Sequence, residues 1–469
     1  MEYEFIFGDR TNMMELKIKD RHGLIFGRAP RPVTCGRDLK IGEGLVYPEI
    51  NFTLPQISIT PENWPDICKQ YGEIIGQVCR RALDLKVPGL VVEFELLPPM
   101  TSRPEWGAEI TRILTGTLDR FYQEKGLRSA LRVTPVDIRD TDRPPKMRTG
   151  THTALMFESF ESCAAAGADL LSIESTGGKE VHDPALINGD LAGIVFALGV
   201  LAVRDMRFLW QRIGETAQTY NIIAAGDTAC GFANTAMILA DKGMIPKVLA
   251  SLVRVASTVR SLQAYQQGAQ GPSKDCAYEG PFLKAITGVP ISMEGRSSAC
   301  AHLSHIGNIA SAACDLWSNE SVQNIKLLSD FAPIVSLEQL AYDCRLMNQA
   351  VSEGRQAIET LQRWSVDSDS NLDPQAYVLR PDVVIDLSVR MLESESALAM
   401  TIAGMVATLD VLSEAAGKKI LDLPAAEIRW LHLLRTQLEM IPDNEPDLFS
   451  YIKENTSYPP LFLAEEYDL

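Results

Sequence analysis

The order of apolar and polar positions divides the chain into three stretches. Residues 1–60 carry no sustained period. Gly and Pro punctuate GLIFGRAPRPVTCGRDLKIGEGLVYPEINFTLP, which predicts an irregular N-terminal extension. From residue 61 to 335, short apolar runs alternate with helical periodicity. A helix is predicted from Pro65 to Lys86, then a strand in VPGLVVEFE (87–95). The spacing of Ile110, Ile113, Leu114, Leu118 and Phe121 predicts a helix over Gly107 to Lys125. Further strands are read in ALRVTPVDIR (130–139), ADLLSIES (168–175), NIIAAGDTAC (221–230) and AITGVPISMEG (285–295). Helices fall between them, at Leu155 to Ala166 and Phe232 to Lys242. Residues 336–469 read as helical throughout, with segments at Leu337–Ala350, Glu353–Trp364, Arg390–Glu414 and Pro424–Met440. They form a helical C-terminal extension packed on the rest.

Strands alternating with helices imply βαβ units and a parallel sheet. The number of units favours a closed (β/α)8 TIM-type barrel over an open doubly wound sheet. An open nucleotide-binding sheet calls for G-x-G-x-x-G after its first strand, or for G-x-x-x-x-G-K-[ST]. The chain carries neither. The fold class is therefore α/β, a barrel with two extensions.

Composition narrows the function. Hydrophobic residues make up 46% of the 469, enough for a large core. The net charge of −17 argues against nucleic-acid binding, which rests on clustered Lys and Arg. The N-terminus MEYEFIFGDRTNMME lacks the pattern of a signal peptide. The stretch Ala192 to Val203 is apolar but too short to span a bilayer. A cytoplasmic enzyme, with no membrane and no nucleic acid as partner, is expected. The nine cysteines are odd in number and scattered, so they are read as reduced thiols. Cys300, Cys314 and Cys344 are assigned to the core.

Barrel active sites lie at the C-terminal ends of the strands. Polar residues just after apolar runs are thus the candidates for chemistry. Glu174 ends SIES, Cys230 ends AAGDTAC, and Cys276 lies in GPSKDCAYEG. Tens of residues separate them, which excludes a zinc finger and suits ligands gathered from separate strands. Two thiolates and one carboxylate satisfy zinc and leave a fourth position open. Each cysteine read singly is more often a small buried hydrophobe than a metal ligand. Asp227 and Asp275 could orient ligand loops or serve as turn residues. Lys274 and Lys179 could balance charge or be solvated. His302 and His305 are candidate acids or structural donors. Glu93, Glu95 and Glu294 end strands, and one of them is expected to shape a substrate pocket.

The segments LLSIESTGGKEVHD, AAGDTACGFANTAM, GPSKDCAYEGPFLKAITGVPISMEGRSSACAH and CDLWSNESVQN closely resemble the methanol:corrinoid methyltransferase family. The resemblance covers residues 25 to 350 well and runs on more weakly to the end. It implies a barrel holding Zn2+ on one Glu and two Cys, which fall on Glu174, Cys230 and Cys276. It also implies transfer of a methyl group from methanol to the Co(I) corrinoid of a separate protein, feeding one-carbon metabolism. A methoxylated aromatic or other methyl ether as donor is the alternative. A silent scaffold that only docks a corrinoid protein is a further one. The corrinoid itself is expected on a partner. The nearest approach to D-x-H-x-x-G is Asp20-Arg21-His22, where residue 25 is Ile rather than Gly. A homodimer or a larger complex with the corrinoid protein is the expected assembly.

Overall fold

The computed structural model describes residues 15–53, 58–274, 277–294, 305–313, 315–322, 326–327, 330–455 and 458–469. Two antiparallel strands come first, β1 (Arg28–Cys35) and β2 (Leu39–Glu43). Seven parallel strands follow: β3 (Tyr47–Thr53), β4 (Leu90–Glu95), β5 (Ser129–Thr134), β6 (Leu170–Ile173), β7 (Ile223–Asp227), β8 (Ser292–Glu294) and β9 (Leu316–Val322). They are ordered β7-β6-β5-β4-β3-β9-β8 in one sheet.

The gap between β7 and β8 is filled by residues 270–274. Gln270 N and Gly271 N donate to the carbonyls of Ala224 and Ala225 at 2.8 and 2.9 Å. On the other side Ser273 bridges Ile291 in parallel, and Ser292 N donates to Ser273 O at 2.9 Å. This segment takes the place of an eighth strand and closes the barrel. The closure is tight at Gly226, whose φ is +145. A Cβ there would lie 2.6 Å from the Ser273 hydroxyl, so only glycine fits. The register between β6 and β7 slips beside it, after Leu171. Such a bulge re-aims the residues that follow, here Asp227.

Strands β3 to β7 are buried on both faces, as parallel strands are. Val92, Phe94, Leu131, Val133, Leu171 and Ile173 face outward into a core shared with the surrounding helices. The alternate residues point inward and form layers. The lowest is apolar: Tyr47, Val91, Ala130, Leu170 and Ala225 meet Val33, Cys35, Leu39 and Ile41 of the β1–β2 hairpin. The hairpin thus plugs the N-terminal end of the barrel. Above it lies a polar layer. Arg132 Nε donates to Glu49 Oε1 at 2.6 Å, and its Nη1 donates to Ser172 Oγ and Pro272 O, both at 2.8 Å. Ser292 Oγ closes the layer on Glu49 Oε2 at 2.5 Å. All of these side chains are buried.

Two boundaries differ from the reading of the sequence. β3 lies within residues 1–60, yet it pairs with β4 and β9 as the first barrel strand. Helix Ala332–Glu353 crosses the expected boundary at 335–336 and packs on β3, β9 and helix Trp64–Asp84. It is the last helix of the barrel ring. The single helix expected from Arg390 to Glu414 is two, Pro381–Leu392 and Ala397–Gly417. The second restarts at Ser396, whose side chain caps Ala399 N at 3.1 Å, as N-cap serines do.

A long helix escaped the sequence reading. Lys247–Gln266 is buried on every side from Val248 to Ala264, so it has no polar face to betray it. Ala397–Gly417 packs against it. That helix is long and apolar enough to cross a membrane by length and composition, and more than half of its apolar window is buried inside the protein.

Candidate functional site

The C-terminal mouth of the barrel gathers charge. Lys274 comes from the closing segment and is almost completely buried. Its Nζ lies 2.7 Å from Glu174 Oε1, 3.3 Å from Glu93 Oε1 and 3.4 Å from Glu95 Oε2. Glu93 and Glu95 end β4, and Glu174 follows β6. One ammonium thus sits among three carboxylates. Thr134 Oγ1 donates to Glu93 Oε1 at 2.6 Å, and Asn51 Nδ2 donates to Glu95 Oε2 at 3.2 Å. Burial pushes the Glu93 carboxyl up to about 7, against the pull of Lys274 and Arg132. A cavity of about 320 Å3 opens beside this cluster. Glu95, Thr134, Asp137, Glu174 and Thr176 line it.

Cys230 stands one strand further on. It opens a π-helical turn, Cys230–Asn234, directly after β7. Such turns recur at functional sites. Cys230 is half-buried, and Asn234 Nδ2 donates to its Sγ at 3.4 Å. Lys179 Nζ donates to Gly231 O at 2.9 Å and pairs with Asp183. It therefore ties the Cys230 turn to helix Lys179–Asn188 rather than lying free in solvent.

Asp227, at the end of β7, is fully buried. It accepts from Thr228 N at 2.6 Å, Trp210 Nε1 at 3.2 Å and Ser175 N at 3.3 Å. Arg260 Nη2 lies 3.4 Å away. Burial raises its carboxyl above the ordinary range, against the opposing pull of Arg260. Its contacts make it a tether between loops rather than a bare turn residue. Behind the Glu174 loop, Asp137 accepts from Thr176 N at 2.9 Å and pairs with buried Arg139, which also binds Asp205.

The structure thus brings Glu93, Glu95, Glu174 and Lys274 together, with Cys230 in the turn after the neighbouring strand β7. Cys276, Asp275, His302, Cys300 and Cys314 lie outside the described residues. The backbone of Glu294 ends β8. His305 is not part of the mouth cluster: its Nδ1 faces Asp369 of the C-terminal helices at 3.8 Å. Cys344 is buried in the core. Among the described residues no group of three His, Cys, Asp or Glu could hold a metal ion. The carboxylate of Glu174 and the thiol of Cys230 still suit zinc by chemistry, and they follow adjacent strands. Reasoning from the sequence missed Thr228, Arg260 and Glu279. All three are buried polar groups, and the signal was a polar residue inside an otherwise apolar helix or loop.

A closed barrel with charged and thiol side chains at its C-terminal mouth is the plan of a (β/α)8 enzyme. Residues 10–468 match the family described as methanol-cobalamin methyltransferase B subunit. The chain belongs to this family and is a methyltransferase. It is 36% identical to the methanol–corrinoid protein co-methyltransferase of Methanosarcina barkeri, over 90% of this chain and 91% of that one. Its fold is similar to a chain of the crystal structure of the methanol:cobalamin methyltransferase complex MtaBC from Methanosarcina barkeri. The TM-score is 0.91 at 33% identity, covering 97% of this chain and 99% of that one.

Proposed function

We propose that this chain transfers the methyl group of methanol to the Co(I) corrinoid of a separate, docked corrinoid protein, in a zinc-dependent reaction. One observation carries the reading: Glu174 and Cys230 follow adjacent strands at the mouth of a barrel that shares its family with methanol-cobalamin methyltransferases. Methanol is preferred to a methoxylated arene because the family description and both relatives are named for it.

Glu174, Cys230 and Cys276 would hold the zinc. When bound, zinc supplies a Lewis acid that stabilises the negative charge left on the departing oxygen. The chain's own residues do the rest. Lys274 offsets the charge of Glu93, Glu95 and Glu174, so that so many anionic groups can share one buried mouth. Glu93, with its carboxyl pushed up to about 7, can hold a proton at neutral pH and release it there. The balance needs that proton: Co(I) supplies the electron pair for the new bond, the methyl–oxygen bond breaks, and hydroxide leaves as water. The apolar floor closes the far end of the barrel. Methanol, water and the corrinoid must therefore enter and leave by the mouth, and the docked partner excludes bulk water there. We place the reaction in the cytoplasm, within one-carbon metabolism.

Purified chain is expected to contain stoichiometric zinc. It should convert a Co(I) corrinoid protein to the methyl–Co(III) form, followed by its visible spectrum, only when methanol is present. Free Co(I) cobalamin at high concentration should replace the partner in part. Full activity without any transition metal, or turnover without any corrinoid, overturns the proposal.

A further inference from the structure

The loops that carry Glu174, Cys230 and Cys276 are joined by buried hydrogen bonds to the residues next to them. Ser175 follows Glu174, and its N–H donates to Asp227 Oδ1 at 3.3 Å. Ala229 precedes Cys230, and its N–H donates to Glu279 Oε1 at 2.8 Å. Ala277 follows Cys276, and its N–H donates to Thr228 Oγ1 at 3.3 Å. The three accepting residues are all fully buried. Asp227 and Thr228 are consecutive at the end of β7, so one dipeptide reaches the loops on both sides. Glu279 returns from the far loop to the start of the Cys230 turn. Arg260 and Trp210 brace Asp227, and Ser261 Oγ braces Glu279 Oε1 at 2.8 Å.

We infer that Asp227, Thr228 and Glu279 are positioning residues that set the relative placement of the three ligand loops. This inference rests on the proposed zinc site. The physical reason is that a buried N–H must be paired. Each acceptor holds the peptide beside one proposed ligand, so the backbone at Ser175, Ala229 and Ala277 is fixed by the barrel before a metal arrives. Side chains that orient metal ligands in this way typically govern affinity.

The test uses paired variants of the full chain. Thr228→Val removes the accepting oxygen at constant shape, and Thr228→Ser restores it. Glu279→Met removes the acceptor, and Glu279→Gln keeps a carbonyl oxygen there. Zinc affinity is read by competition with a chelator. The visible spectrum of the Co(II)-loaded protein reads ligand geometry, and circular dichroism without metal reads the fold. The Val and Met variants are expected to lose about 10-fold to 100-fold in zinc affinity and to shift the Co(II) bands, while Ser and Gln stay within about threefold of wild type. Folded Val and Met variants with wild-type affinity and spectrum overturn the inference, as does failure of both Ser and Gln to rescue. Should one removal variant not fold, the pair at the other position decides. Wild-type chain that binds neither zinc nor Co(II) overturns the zinc site itself, and this inference with it.

Discussion

The two ends of the barrel are built from the same strands and behave as different materials. At the floor, Tyr47, Val91, Ala130, Leu170 and Ala225 are sealed by the β1–β2 hairpin into an apolar layer. Four residues further along β3 to β6, the inward positions are Asn51, Glu95, Thr134 and Glu174. The cysteines divide the same way. Burial pushes the Cys35 thiol of the floor up to about 12, which leaves it a protonated, inert hydrophobe. Cys230 at the mouth is half-buried and held by a side-chain amide. Between the ends lies the buried Arg132–Glu49 pair. The floor holds the barrel closed, and the mouth accepts unfavourable charge crowding for the sake of chemistry.

The sharpest way to break this contrast is at Glu174. Glu174→Gln keeps the volume and removes the anionic donor. Methyl transfer is expected to fall roughly 1000-fold, about 4 kcal/mol of barrier, with reduced zinc content and an unfolding midpoint close to wild type. A fully active Glu174→Gln enzyme would make the mouth structural, like the floor. Leu39→Ala at the floor is the converse. Loss of this fully buried side chain should cost about 3 kcal/mol in denaturant unfolding, while metal binding at the proposed zinc site is unchanged in the folded protein. Parallel losses of metal and stability would mean that the two ends are not separable.

The smallest effect is a pH dependence beside the mouth. Glu180 opens the helix after the Glu174 loop, and Tyr467 donates to its Oε1 at 2.6 Å. Its other carboxylate oxygen is enclosed. Burial pushes the group up from 4.5 to about 7, against that hydrogen bond. The folded chain therefore keeps a proton that the unfolded chain loses between those values. Folding stability should fall as pH rises through this window, and level off above about 7. Glu180→Gln has no such titration. Its stability relative to wild type should rise by about 2.5 kcal/mol between pH 5 and pH 8. Parallel pH profiles for the two proteins would show that the Glu180 carboxyl is ordinary.

Much of this architecture was legible in the residues alone. VVEFE, LRVT, LLSI and IAAGD are apolar runs closed by polar residues, and each became a barrel strand. Glu174 and Cys230 were readable as mouth residues because a barrel strand delivers whatever follows it to the same end. By contrast, β3 hid in a stretch rich in Pro and Gly. Its identity as a strand depends on pairing with β4 and β9, which lie far along the chain. The closing segment 270–274 is irregular and has no period at all. Lys274 could not be told from a solvated lysine, because its burial among three carboxylates is created by strands that meet only after closure.

What the sequence by itself determined is the alternation that makes a barrel and the donor types at its strand ends, since both are local patterns. What only the tertiary structure decided is which charges share a space: Lys274 with Glu93, Glu95 and Glu174, Arg132 with Glu49, and the peptide beside each candidate ligand with Asp227, Thr228 or Glu279. Those contacts join elements distant in the chain. Their energies come from burial and pairing, which no periodicity along a single segment records.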